Sequence, residues 1–183
     1  MKKTCGPLIF SFIGGSILTC VLGLSAGAET GVAEKQIEGK ELEPVLLPST
    51  FLDQKGDKVS AAVLEGKFVG LYFSASWCGP CRAFTPSLIK FREVHKNDFE
   101  VILVGADGSP KAQANYMKKY KMPWLALTNQ SPEATQISKS LGVPHIPYLV
   151  ILDPDRKIVS KNGRKEIARS GEAAFATWKK TPK

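Results

Sequence analysis

The sequence is poor in the residues from which metal sites are built. It contains four cysteines and two histidines, and no second pair of closely spaced cysteines accompanies Cys78 and Cys81. A structural zinc ion needs about four ligands, and His95 and His145 do not lie in a ligand-spaced cluster. This shortage disfavours zinc, and we expect no metal site.

Other signatures are missing as well. The chain has no internal repeat, no low-complexity tract and no flavin or nicotinamide fingerprint, so we expect no bound cofactor. Its formal net charge of +8 comes from scattered lysines, not from a basic stripe interleaved with aromatic residues. That distribution is typical of a solvated surface, and we expect no nucleic-acid partner. At most, the charge favours acidic partners.

The N-terminus has the pattern of an export signal. Lys2 and Lys3 precede the uncharged apolar stretch Leu8–Leu24, and the small residues Ala26-Gly27-Ala28 offer a cleavage site. We therefore expect an exported protein, periplasmic or otherwise extracytoplasmic. An uncleaved leader is long enough to span a membrane, and Cys20 lies in a faint lipidation-like context. Membrane attachment is expected only in those two cases.

Three regions follow from this pattern. Residues 1–28 are the predicted signal peptide, or alternatively an uncleaved anchor. Residues 29–47 are polar, end among prolines and are predicted to be a linker. Residues 48–183 are predicted to form one domain, in which Cys78 and Cys81 are the only cysteines.

The stretch from Phe68 to Arg82 contains the most informative pattern. Its first part is short, aromatic and β-branched, which predicts a buried strand. Gly79 and Pro80 then mark a turn, and proline is suited to the first turn of a helix. A Cys-X-X-Cys motif at a strand-to-helix junction indicates redox chemistry.

The two cysteines of this motif are not equivalent. A helix N-terminus carries unpaired N–H groups and a partial positive charge, which favour a thiolate at Cys78. Cys81 lies one turn further along, close enough to form a disulfide with it. A purely structural disulfide remains an alternative, although closing so short a loop restricts the unfolded chain little.

Apolar periodicity predicts alternating strands and helices after residue 48. Strands are expected at Thr50–Asp53, Lys58–Val59, Phe68–Phe73, Phe99–Val104, Tyr148–Leu152 and Lys157–Val159. Helices are expected at Arg82–His95, Pro110–Lys121, Pro132–Leu141 and Gly171–Lys179. The residues expected on the apolar face of the first helix are Phe84, Leu88, Phe91 and Val94. The alternation predicts an α/β domain with a mixed central sheet and helices on both faces.

The sequence resembles a thioredoxin-fold thiol-disulfide oxidoreductase. The features that carry the resemblance are Trp77-Cys78-Gly79-Pro80-Cys81, Pro86 inside the next helix, and Ile146-Pro147 before a late strand. The likeness is greatest to the tryparedoxin and nucleoredoxin group. It is carried there by Tyr72–Cys78, Phe84-Thr85-Pro86, Met122–Leu127 and Asn162-Gly163-Arg164.

This resemblance implies a thioredoxin-like fold in which Pro147 is a cis-proline facing the dithiol. It implies that Cys78 attacks a disulfide of a protein substrate and that Cys81 resolves the mixed disulfide. An upstream protein dithiol donor would restore the dithiol, and we expect a monomer. The residues expected to contact substrate are Trp77, Gly79, Pro80, Ile146 and Pro147.

Two departures from the family patterns bear on mechanism. The tryparedoxin dithiol usually has two prolines between its cysteines, whereas Gly79-Pro80 is the thioredoxin spacer. Thioredoxin also places a buried aspartate six residues before its first cysteine, where this chain has Tyr72, as tryparedoxins tend to. The sequence therefore assigns no proton acceptor to Cys81. Asp107 could relay a proton, although a turn or capping role is the alternative.

The Gly-Pro spacer favours a protein-disulfide reductase. Thioredoxin, which shares it, has a reduction potential of about −270 mV, against about −120 mV for a strong disulfide-forming oxidant. In its exported setting the protein resembles the bacterial TlpA-like reductases of the periplasm. The alternatives are a disulfide-forming oxidase and a non-catalytic thioredoxin-fold module for binding or chaperoning.

Overall fold

The computed structural model of the protein describes residues 43–180. The predicted signal peptide, with Cys5 and Cys20, lies outside the described residues, and so do residues 29–42 of the predicted linker. Over the described range, none of the helices has both the length and the apolar composition needed to cross a membrane.

Within residues 43–180, seven strands build the fold. They are β1 (Thr50–Leu52), β2 (Lys58–Ser60), β3 (Phe68–Ser74), β4 (Phe99–Gly105), β5 (Leu125–Ala126), β6 (Tyr148–Leu152) and β7 (Ile158–Ser160). They form one sheet in the order β2-β1-β5-β4-β3-β6-β7. The three strands β3, β4 and β5 are parallel, and the outer strands pair antiparallel. The predicted mixed central sheet is confirmed.

In the part of the chain that the structure describes, five helices accompany the sheet. They are α1 (Gly79–Val94), α2 (Pro110–Lys119), α3 (Pro132–Ser140), α4 (Gly163–Ser170) and α5 (Ala174–Lys180). Two 3-10 turns occupy Ala61–Leu64 and Gly171–Ala173. The helices α2 and α3 begin alike, with proline in the first turn and a serine cap. Ser109 and Ser131 each accept a hydrogen bond from a first-turn N–H, which satisfies a group that the helix leaves unpaired.

An apolar layer covers each face of the sheet. On one face α1, α2 and α5 pack against the central strands, with Phe84, Leu88, Phe91, Tyr116, Phe175 and Trp178 all buried. On the other face Ile137 and Leu141 from α3 and its C-terminus meet Phe51, Phe73 and Val150. The fold therefore holds β3 between two cores, and the short segment Ala75-Ser76-Trp77 connects its last residue to Cys78.

Two details of the predicted helices were wrong. Helix α4 was not predicted, because its sequence contributes one buried apolar side chain, Ile167, and shows no apolar stripe. Val94 was placed on the apolar face of α1 but is 51% exposed. Six residues separate it from Leu88, and at 3.6 residues per turn that rotates it about 120° away from that side chain.

Residues 43–47 pack on the α3 side of the sheet, and Val45 lies at the end that is remote from the dithiol. The Val45 N–H donates to the carbonyl of Arg156 at 2.9 Å, and Val45 and Leu47 pack against the α3 core. Arg156 follows β6, whose last residue pairs with Val69 at the start of β3. Its guanidinium also donates to the carbonyls of Leu64 and Lys67, so one side chain fastens the loop before β3.

Candidate active site

The two cysteines lie where β3 gives way to α1. Cys78 caps the N-terminus of α1, and its Sγ accepts the Cys81 N–H at 3.2 Å. The cysteines form a disulfide with their Cα atoms 5.2 Å apart. Pro80 occupies the first turn of the helix, where its missing N–H costs no hydrogen bond. The strand, turn and helix predicted around the motif are confirmed.

The residues around the disulfide are apolar, and solvent reaches the disulfide from the side of Cys78. Cys78 is 6% exposed, whereas Cys81 is fully buried. The adjacent Trp77 is 65% exposed, which is unusual for so large an apolar side chain. The disulfide therefore offers Cys78 to the surface, beside an exposed aromatic ring.

A distant loop completes this surface. Ile146 packs against Cys78, Cys81 and Ala75, and the Ile146–Pro147 peptide bond is cis. The structure thus brings together segments that are more than sixty residues apart in sequence. The cis-proline implied by the family resemblance is confirmed, and it lies beside the dithiol.

Beneath Cys81 lies a buried cluster of four hydroxyl groups, which we call the hydroxyl cluster: Ser74, Tyr72, Thr85 and Tyr116. The Tyr72 and Thr85 hydroxyls each lie 3.0 Å from the Cys81 carbonyl oxygen, which accepts a hydrogen bond. The Thr85 hydroxyl is also 3.1 Å from the hydroxyls of Tyr72 and Tyr116. Because each hydroxyl has one proton, Tyr72 and Thr85 do not both donate to the carbonyl while they hydrogen-bond to each other. Tyr116 in turn hydrogen-bonds to Ser74 at 3.0 Å. Burial raises the pKa of Tyr72 well above its usual range, so the Tyr72 hydroxyl is neutral.

A buried carboxylate fixes the residue two places before Cys78. Asp107 is 1% exposed, and its Oδ1 accepts both the N–H and the hydroxyl of Ser76, at 2.9 and 2.6 Å. Asn129 and Gln130 donate to the backbone carbonyl of Asp107. The neighbouring Ala106 carbonyl accepts the Trp77 indole N–H at 3.2 Å. The loop after β4 therefore holds the Ser76-Trp77 dipeptide in place.

A groove of about 490 Å³ opens beside Trp77. Trp77 forms one wall, α3 forms another with Ala134 and Lys139, and the loop with His145 and Ile146 closes the end. Extended segments of substrate can be held in such a groove by apolar contact and by backbone groups. The groove ends at Ile146, the residue that precedes the cis-proline.

Two charged residues, Arg82 and Asp107, lie near the dithiol. Arg82 projects from the first turn of α1 back over the dithiol turn, with its Nη2 4.0 Å from the position that a Gly79 Cβ would take. Asp107 serves as the anchor of Ser76 described above. Across the described residues 43–180, no group of three or more histidine, cysteine and acidic side chains could hold a metal ion.

Several site residues were not identified from sequence. Thr85, Tyr116 and Ser74 read as ordinary helix and strand positions, and their hydroxyls meet only because α1, α2 and β3 pack together. The Ser76–Asp107 contact joins residues 31 positions apart. The one available signal for Thr85 was its place in the Phe84-Thr85-Pro86 run that carries the family resemblance.

Comparison with known proteins agrees with this geometry. A family model described as thioredoxin-like matches residues 66–158. Tryparedoxin from Trypanosoma brucei brucei is 39% identical over 134 residues, covering 71% of this chain and 92% of that protein. The chain belongs to the thioredoxin-like family. Its fold, family and paired cysteines are those of a thioredoxin-like oxidoreductase.

Two further relatives of this thioredoxin-like protein add detail. The nucleoredoxin of Xenopus laevis is 35% identical over 126 residues, covering 67% of this chain but 30% of the relative. The chain therefore spans about a third of the length of the nucleoredoxins that it matches. A solved structure titled tryparedoxin II complexed with glutathionylspermidine superposes with a TM-score of 0.64 at 35% identity, covering 69% of this chain and 90% of that one.

Proposed function

We propose that this thioredoxin-like protein is a reductase of protein disulfides. The observation that carries the proposal is the Cys78–Cys81 pair at the N-terminus of α1, with Cys78 towards the surface and Cys81 buried. A pair that can close into a disulfide can pass two electrons to another disulfide. The structure contains the oxidised form of the pair.

The proposed reaction starts from the reduced protein. The Cys78 thiolate attacks one sulfur of the substrate disulfide, that bond breaks, and the first substrate sulfur leaves as a thiolate that takes a proton from water. Cys81 loses its proton and attacks Cys78, which releases the second substrate thiol. Two electrons have moved to the substrate, and the protein is left with the Cys78–Cys81 disulfide. A protein dithiol donor restores the reduced pair by the same exchange.

The N-terminus of α1 supports the first step. The helix dipole and the Cys81 N–H, which points at the Cys78 sulfur, both favour negative charge there. Trp77, Gly79, Pro80, Ile146 and Pro147 keep their proposed role as the surface that substrate contacts.

Reduction of insulin by dithiothreitol in the presence of the protein tests the activity. We expect the protein to accelerate insulin precipitation, and a Cys78→Ser variant to lose the acceleration. A redox titration against glutathione tests the direction. A potential near that of thioredoxin supports a reductase, whereas a potential near that of a strong oxidant would replace the proposal with a disulfide-forming oxidase.

The location of this chemistry is proposed from residues 1–28 alone. Their charged start and apolar stretch support export to an extracytoplasmic, for example periplasmic, compartment. There the protein would need an electron donor on or across the membrane. Cell fractionation of the full chain, with and without residues 4–28, tests this. Equal distribution of the two forms would contradict export.

A further inference from the structure

The charges around the dithiol are unlike those elsewhere on the domain. The three loops that surround it are residues 75–82, 106–109 and 143–147, and their charged residues are Arg82 and Asp107. Asp107 is buried and binds Ser76 through Oδ1. Arg82 is exposed, so the charge that these loops present to solvent is positive.

The groove adds a second cation to this surface. Lys139 on α3 is exposed and lines the groove together with Trp77, and among the residues that the structure describes no aspartate or glutamate lines that groove. Within residues 43–180, the ion pairs involve neither Arg82 nor Lys139. Both cations are therefore available to a ligand rather than neutralised by a neighbour.

The end of the sheet remote from the dithiol carries charges of both signs. Asp98 directly precedes β4, and Asp153 and Asp155 directly follow β6. The pairing of Val69 with Leu152 places these segments at the end away from the dithiol. Lysines and carboxylates are mixed there, whereas the dithiol end presents cations without exposed carboxylates in its loops.

We propose that the groove binds an extended segment of the protein substrate that carries carboxylates beside its reactive cysteine. An apolar side chain of that segment packs against Trp77 and Ile146, and a carboxylate two or three residues from the cysteine pairs with Lys139. Arg82 attracts a second carboxylate on the other side of the dithiol. This inference rests on the proposed function, because it concerns the specificity of the same site.

Matched peptides test the selection. Two disulfide-bonded peptides differ only in the residues that flank each cysteine, glutamate in one and lysine in the other. We expect the protein to reduce the glutamate peptide about two- to fivefold faster at low salt, as befits exposed charge pairs, with the difference shrinking at 1 M salt. Glutathione disulfide, which has carboxylates but no extended chain, should react more slowly than the glutamate peptide.

Two charge reversals locate the effect. Lys139→Glu should abolish or invert the preference for the glutamate peptide. Lys118→Glu is the matched control, because Lys118 is exposed at the end of α2, outside the groove, and changes the net charge equally. Identical effects of the two variants would overturn the proposal, and so would equal rates with both peptides or faster reduction of glutathione disulfide.

A binding measurement separates this inference from the proposed function. Titration of the oxidised protein with the same peptides, each cysteine replaced by serine, reports affinity without any electron transfer. Tighter binding of the glutamate peptide supports the groove assignment even in a protein that fails the insulin assay. Insulin reduction without peptide discrimination in either measurement would leave the reductase proposal intact and overturn this one.

Discussion

The two cysteines of the disulfide face opposite kinds of surroundings. Cys81 lies over the hydroxyl cluster, in which every group that hydrogen-bonds to its backbone is neutral and buried. Cys78 directly follows the exposed Trp77, with Arg82 at the dithiol turn and a groove beside Trp77 that Lys139 lines. We call the surroundings of Cys81 the inner side and those of Cys78 the outer side. The inner side holds the backbone of Cys81 through neutral hydrogen-bonding groups, and the outer side presents charge and apolar surface to a partner.

This contrast suggests different roles for the two sides of the disulfide. Neutral hydroxyls can pass a proton along but cannot keep one, so we expect the proton of Cys81 to end on the departing substrate sulfur or on water. The inner side then contributes mainly to stability, while substitutions on the outer side change substrate choice. The predictions below test that separation.

The largest effect should come from the cysteines themselves. We expect Cys78→Ser and Cys81→Ser each to abolish turnover with insulin. In thiol-trapping experiments with the whole cell extract, Cys81→Ser should accumulate mixed disulfides that reducing agent releases, because its Cys78 attacks but nothing resolves the product. Cys78→Ser is the matched control and should accumulate none. Equal trapping by both variants would remove the distinction between the cysteines.

Asp107 should give the next largest effect, on stability. Asp107→Ala removes the acceptor of two hydrogen bonds from Ser76, and we expect the free energy of unfolding of the oxidised protein to fall by about 2 kcal/mol. Asp107→Asn keeps an accepting oxygen, so its free energy of unfolding should fall by clearly less. Urea denaturation measures both. If the alanine variant is as stable as the parent, the loop after β4 does not hold Ser76-Trp77.

The burial of Tyr72 on the inner side predicts how the free energy of unfolding changes at alkaline pH. Because burial raises the pKa of Tyr72 in the folded protein, its contribution to stability is complete below the unfolded-state pKa of about 10 and declines as the pH rises past that value. Because of Tyr72 alone, the free energy of unfolding should fall by up to about 1.4 kcal/mol when the pH is raised from 9 to 11. Tyr72→Phe should show a correspondingly shallower decline; parallel curves would place this tyrosine outside the buried cluster.

Tyr72→Phe at neutral pH should have the smallest effect. Loss of the hydrogen bond to the Cys81 carbonyl should lower the free energy of unfolding by about 1 kcal/mol, with the insulin activity changed less than a few-fold. Tyr120→Phe, on the partly buried side of α2, is the matched control and should change neither. A large loss of activity with unchanged stability would show that the inner side takes part in the chemistry after all.

The fold was largely predictable because its signals are local. The apolar run of β3, the Gly79-Pro80 turn and the spacing of Phe84, Leu88 and Phe91 each lie within one element. The cis peptide at Pro147 came from the family resemblance, because the neighbouring residues alone do not distinguish cis from trans.

The finer parts of the site depended on tertiary packing and were not predictable in this way. The hydroxyl cluster forms only when Tyr116 of α2 reaches Thr85 of α1 across the sheet face. Helix α4 buries a single apolar side chain, Ile167, which leaves no apolar stripe for the periodicity to detect. Lys139 looked like one more solvated lysine until the structure placed it on the wall of the groove.

The fastening of Val45 to Arg156 has a practical consequence for handling this molecule. Val45 is fixed at the end of the sheet remote from the dithiol by this backbone hydrogen bond, and Val45 and Leu47 add apolar contacts. Residues 43–48 line a pocket against α3 that shares no residue with the groove beside Trp77, so a resin, dye or fusion partner joined ahead of Glu43 is attached outside that groove. Immobilisation through this end should leave the cysteines open to large protein ligands.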